Sequence, residues 1–163
     1  MPQSSPPEEL DFGPCLEAAY RYLSLRPRSE FEVRTRLKKK GFPVQSINRT
    51  LAELRRQGYL DDASFARFWT ENRESFSPRG RSLLRLELHQ KGVEPEVIRQ
   101  ATQDLDDEEN AYKAARKKLR NPVNSDYDTF RRSVGGFLRR RGFSYGVCQR
   151  ALSRIWHEEI GDS

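Results

Sequence analysis

A chain of 163 residues with 33% charged and only 35% hydrophobic side chains is poor in core-forming material, yet not polar enough to be an unfolded polymer. Thirty Lys and Arg against 24 Asp and Glu leave a net charge of +6, which favours polyanions or an acidic protein surface and says nothing about fold. Two cysteines, a start without a basic and apolar leader, and no run near the ~18 apolar residues of a membrane span make a disulfide framework, a signal peptide and a membrane anchor unexpected; the expected address is cytoplasmic.

Residues 1–13, with Pro2, Pro6, Pro7 and three acids, read as a disordered Pro-rich acidic tail. Beyond them the phrases LKKKGF, LHQKGV and LRRRGF recur, with Gly41, Gly92 and Gly142 spaced 51 and 50 residues apart. A period of that size is the mark of copied supersecondary units. The first unit, 14–60, is expected to hold helices over Cys15–Arg26, Ser29–Lys40 and Gln45–Gln57, the second of them opened by a capping box at Ser29-Glu30-Phe31-Glu32. The second unit, 61–105, reads as helices over Asp62–Phe76, Pro78–Lys91 and Glu94–Leu105, with Ser77 as a cap before Pro78. The third, 106–158, reads as helices over Glu108–Arg120, Asp126–Arg141 and Tyr145–His157, and residues 159–163 as a frayed end.

Aligned copies predict the core. Val33, Leu84 and Val134 correspond, as do Leu37, Leu88 and Leu138, then Ile47, Ile98 and Cys148, and last Leu54, Leu105 and Ile155. Their i, i+4 and i, i+7 spacings place them on one face of each helix. Thr102 breaks the pattern where the other copies carry Leu51 and Leu152. Each glycine suits the left-handed residue that closes a helix. The expected fold is all-α: three tandem three-helix, helix-turn-helix-like repeats in an elongated, curved array, their small modules sharing a continuous core.

Catalysis is not expected. The acids at Asp61-Asp62 and at Asp104, Asp106-Asp107-Glu108-Glu109 stand at helix starts, where carboxylates cap, although carboxylates can also hold Mg²⁺ in a nuclease. His89 and His157 lie on different helices with no metal-binding neighbour, so no catalytic residue, metal site or cofactor is predicted.

The basic residues are more informative. Arg34, Lys38, Lys39 and Lys40 crowd one helix, and Arg131, Arg132, Arg139, Arg140 and Arg141 another, where Arg132 and Arg139 project together opposite Phe130, Val134 and Phe137. Arg79, Arg81 and Arg85 stand at a helix start, against its dipole, which suggests an external anion to offset the cost; Lys91 precedes the middle glycine. A helix-turn-helix base reader would need Arg, Asn or Gln at the start of the third helix, and Glu94 and Glu96 occupy that place in the second unit. Binding to a phosphate backbone or a protein surface is the better expectation.

The stretch Gly58-Tyr59-Leu60-Asp61-Asp62-Ala63-Ser64-Phe65-Ala66, with RPRSEFEVRTRLKKKGF before it and SPRGRSLLRLELHQKGV after it, resembles the RecX family of bacterial recombinase regulators. The resemblance spans about residues 15–157 and is looser in the third unit. It implies a monomeric, curved helical array that binds the RecA–single-stranded-DNA filament and inhibits strand exchange and ATP hydrolysis, and so acts in homologous recombination, DNA repair and the SOS response. It implies DNA, single-stranded and also double-stranded, as a partner, no membrane, and no catalytic residues to carry over. The alternative is a general DNA-binding helical module without a recombinase partner. Helix capping explains Asp61 and Asp62 within the family motif equally well.

Overall fold

The computed structural model describes residues 7–119 and 126–161, with side chains from 11 to 159 in those stretches. Among the described residues the regular structure is nine helices and no strand: α1 (Pro7–Leu23), α2 (Glu30–Lys39), α3 (Val44–Arg56), α4 (Asp62–Phe76), α5 (Arg81–Gln90), α6 (Pro95–Thr102), α7 (Asp107–Lys118), α8 (Tyr127–Arg140) and α9 (Tyr145–Gly161).

Five boundaries differ from expectation by three residues or more: α1 ends at Leu23, short of Arg26, α9 runs to Gly161, past His157 and into the expected frayed end, and the other three have local reasons. Helix α1 begins at Pro7, not at Cys15, and a proline is tolerated in a first turn. Phe12 then packs under the Arg49 guanidinium at 4.0 Å, which ties that turn to α3. The rest of the expected tail, residues 1–6, lies outside the described residues, as do 162–163. Ser77 does not cap α5; it ends α4, and α5 starts three residues later with Gly80 as its N-cap. Helix α6 stops at Thr102, leaving Leu105 half-buried outside it.

Each helix packs on the helices of its own repeat, so the expected continuous core resolves into three. The first holds Cys15, Ala19, Val33, Leu37, Ile47, Leu51, Leu54 and Leu60. The middle one is the smallest, with Phe65, Ala66, Leu88, Val93 and Ile98. The third gathers Phe130, Val134, Leu138, Phe143, Leu152 and Ile155 around Ala111, Ala114 and Ala115. Cys148 belongs to that core as the small apolar residue the alignment predicts.

The recurring Leu-x-x-cation-Gly-apolar phrase is one device used three times. Gly41, Gly92 and Gly142 take φ of 86°, 74° and 88°. The following residue then donates its N–H back to the leucine carbonyl: Phe42 to Leu37 at 3.3 Å, Val93 to Leu88 at 3.1 Å, Phe143 to Leu138 at 3.2 Å. This is the Schellman closure, in which the apolar residue past the glycine packs on the one it bonds.

Candidate interaction surface

The paired aspartates divide two tasks. Asp61 caps its own helix, its Oδ1 accepting from the Ala63 and Ser64 N–H groups at 3.0 and 3.2 Å. The Ser64 N–H and hydroxyl hold its carboxyl below the ordinary range. Asp62 reaches into the preceding repeat, where its Oδ1 accepts the opening N–H of α2, from Glu30, at 3.0 Å. Asp106 and Asp107 repeat the arrangement: Asp106 accepts from Glu109 at 3.1 Å, and Asp107 accepts the opening N–H of α5, from Arg81, at 3.0 Å. Burial pushes the Asp62 and Asp107 carboxyls up, against the hydrogen bonds that pull them down. Asp61 and Asp106 are thus the N-caps of their own helices, and Asp62 and Asp107 are first-turn residues that also cap the helix of the preceding repeat. Asp62→Ala is expected to cost about 1 kcal/mol and to speed hydrogen exchange at the Glu30 amide, 32 residues away. An unchanged Glu30 amide would show that the cross-repeat cap is not formed.

The second helices of the repeats meet end to end. The N-cap of α2, Ser29, keeps its capping box with Glu32 and also donates Oγ–H to the carbonyl of Lys91, the C-cap of α5, at 2.7 Å. The N-cap of α5, Gly80, donates its N–H to the carbonyl of Arg141, the C-cap of α8, at 2.7 Å. Positive and negative helix poles therefore adjoin twice. At both joints a glycine permits the approach. A Cβ on Gly92 would meet Phe31, and one on Gly80 would collide with the Gly142 backbone.

The joints absorb many of the predicted cations. Lys91 Nζ bonds Glu32 at 2.9 Å, and Arg26 bonds the same carboxylate at 2.6 Å. Burial alone would raise Glu32, but hydrogen bonds from Arg26, Lys91 and the Ser29 N–H outweigh it and hold the carboxyl low. Arg79 pairs with Glu87, which also accepts Trp69 Nε1–H at 2.7 Å. Arg81 donates to the Leu105 carbonyl at 2.7 Å, and Arg85 to Thr102 Oγ at 2.9 Å. The expectation that Arg79, Arg81 and Arg85 answer an external anion is corrected: their nearest partners are internal, on α5 itself and at the end of α6, which packs against it. Thr102, the misfit of the repeat alignment, is the acceptor that Arg85 needs. Arg141 donates to Ser77 Oγ and lies 5.1 Å from the Phe137 ring centre. Sequence reasoning missed Arg26, Arg73 and Trp69, which close this network; Arg73 lies 4.4 Å from the Trp69 centre. Trp69 and Arg73 meet on Glu87 of the next helix, a convergence that periodicity within one helix does not show.

Other predicted cations remain on the surface. Lys38, Lys39 and Lys40 end α2 exposed, and Arg139 and Arg140 end α8 likewise, without an ion-pair partner among the described residues. Arg34 donates to Asn48 Oδ1 at 2.9 Å, and Arg131 pairs loosely with Asp128 at 3.9 Å. Arg132 is exposed on the side of α8 away from buried Phe130 and Val134, as the helical spacing predicts. In the family stretch, Gly58 (φ 80°) closes α3, Tyr59 stands exposed against Tyr20, and Leu60, Phe65 and Ala66 are core residues.

Three-helix modules with separate cores, joined through helix ends and basic on their free surfaces, define a tandem helical-repeat protein. Family models described as the first, second and third three-helix domains of RecX match residues 15–54, 61–101 and 106–152. A regulatory protein RecX from Amycolatopsis mediterranei is 34% identical over all of this chain and 95% of its own length. One from Chlorobaculum tepidum is 33% identical, covering 91% of this chain and 92% of its own. The crystal structure of RecX from Lactobacillus salivarius superposes with a TM-score of 0.75 at 21% identity, covering 90% of this chain and 97% of that one, and shows the same fold. The chain belongs to the RecX family, and with it to a class of regulatory proteins. No helix among the described residues is long and apolar enough to cross a membrane.

Proposed function

We propose that the chain is a non-enzymatic regulator that docks on the RecA–single-stranded-DNA filament and lowers strand exchange and ATP hydrolysis. The observation that carries this reading is the end-to-end row of α8, α5 and α2, which leaves unpaired cations at Lys38–Lys40 and at Arg132, Arg139 and Arg140. Its 34 helical residues, at 1.5 Å each, extend about 50 Å. A filament repeats its binding surface along its axis, so a row of this length can hold it at separated points. Contacts spread over such a row add effective concentration without any one strong contact. The comparisons with RecX proteins support the regulatory part; the filament, the DNA and the inhibition follow from the family resemblance.

Purified protein added to RecA at stoichiometric levels is expected to slow strand exchange and ATP hydrolysis, and no effect on either rejects the reading. Reversing Arg132 and Arg139 to Glu is expected to weaken inhibition about tenfold, as loss of phosphate contacts does, with helix content by circular dichroism unchanged. Loss of helix content instead would make those arginines structural.

A further inference from the structure

Where α4 ends against the third repeat, a cleft of about 350 Å³ opens between Phe76, Ser77 and Pro78 on one side and α7 and α8 on the other. Its cations are Lys117, Lys118 and Arg141, and no carboxylate lines it among the described residues. Two other clefts with cations each hold an acid that answers them. The one between α1 and α2 has Glu17, bonded to Arg21 at 2.7 Å, and the one beside Lys91 has Glu32. The first of these is the repeat counterpart of the α7–α8 cleft, with Ala18, Arg36 and Lys40 standing where Ala114, Phe137 and Arg141 stand. The lining of the α7–α8 cleft has no counterpart of Glu17.

The donors there are far from exhausted. Lys117 Nζ gives two bonds to the Ser75 and Phe76 carbonyls, at 3.3 and 3.0 Å, and an ammonium carries three. Arg141 gives one bond, to Ser77, of the five its guanidinium can make. Lys118 lies 5.5 Å from the Phe137 ring centre, with no carboxylate partner among the described residues. Beside these cations sits Phe76, 74% exposed. A free aromatic face next to uncommitted phosphate binders is the pairing that single-stranded nucleic acid uses, base on ring and phosphate on cation. An acidic peptide would satisfy the cations and leave that ring in water. The cleft volume lies at the small-ligand end of binding sites, enough for one nucleotide unit.

We infer that this cleft receives a single-stranded DNA nucleotide, with Phe76 stacking the base and Lys118 and Arg141 holding the adjacent phosphate. The inference rests on the nucleic-acid half of the proposed function and adds a site to it. The test uses the full chain and oligothymidylate carrying 5-iodouracil, with cross-links mapped by mass spectrometry. Cross-links are expected at Phe76 or Phe137. In titrations of labelled oligothymidylate, Phe76→Ala is expected to weaken binding about tenfold while Phe76→Trp keeps it, since stacking needs only a ring. Lys118→Ala is expected to flatten the log–log salt slope by about 0.7. Cross-links elsewhere with Phe76→Ala binding like the parent overturn the site, as does displacement of the oligonucleotide from it by polyglutamate. Strand-exchange inhibition by the parent protein, run in parallel, tells that failure from failure of the filament reading: inhibition persists in the first case and is absent in the second.

Discussion

Gly80→Ala is expected to part the second and third repeats while leaving all three cores folded. The new Cβ would collide with the carbonyl of Gly142, which is backbone and cannot swing aside as a side-chain tip can. Relief requires separation, and separation breaks the bond from the Gly80 N–H to the Arg141 carbonyl and loosens the Arg141–Ser77 contact beside it. Overpacking of this kind costs about 1–3 kcal/mol, and the lost hydrogen bond about 1 more. The third core is drawn from α7, α8, α9 and Phe143 of the turn between α8 and α9, all within the third repeat, so that repeat can move away as a body with its core intact. Small-angle scattering should show a larger radius of gyration, and far-ultraviolet circular dichroism an unchanged helix content. Inhibition of the filament should fall as well, because the row of second helices is interrupted. A variant with the parent's shape and activity would show that this joint does not set the arrangement of the repeats.

Leu88→Ala is expected to unfold the middle repeat alone. Truncating a fully buried leucine costs about 2–5 kcal/mol, and this core has four other buried members, Phe65, Ala66, Val93 and Ile98, with Trp69, Val97 and Ala101 half-buried against them. Leu88 also supplies the carbonyl that Val93 bonds in closing α5, so the cavity opens beneath the turn itself. Modules this small hold only a few kcal/mol in reserve. Hydrogen exchange should become fast over residues 62–102 and stay slow in α8 and α9. Uniform acceleration along the chain would instead mean that the joints couple the repeats into one cooperative unit. The milder Leu88→Met, which conserves volume, is expected to cost below about 1.5 kcal/mol.

The elements and their cores were legible because their causes are local. Leu37, Leu88 and Leu138 each stand four residues before a glycine, and the helix period, the Schellman turn and the capping box at Ser29 each act within a turn or two of chain. The repeat period announced three modules for the same reason. It did not announce that their cores are separate, since a pattern within each copy holds no information about contacts between copies.

The surface was legible only in part. Lys38 to Lys40, Arg132, Arg139 and Arg140 stand outward as helical spacing requires, because the apolar face of a helix decides where its opposite face points. Arg79, Arg81, Arg85 and Lys91 read the same way along the chain, yet the fold turns them onto Glu87, Leu105, Thr102 and Glu32. Asp62 and Asp107 look like ordinary caps, and they cap helices of another repeat. What the amino-acid order determined by itself was which residues form helices and which face of each is apolar. Which helix ends meet was decided only by tertiary structure, because a charge or a free N–H takes the partner that packing brings within about 3 Å, however far off it lies in the chain.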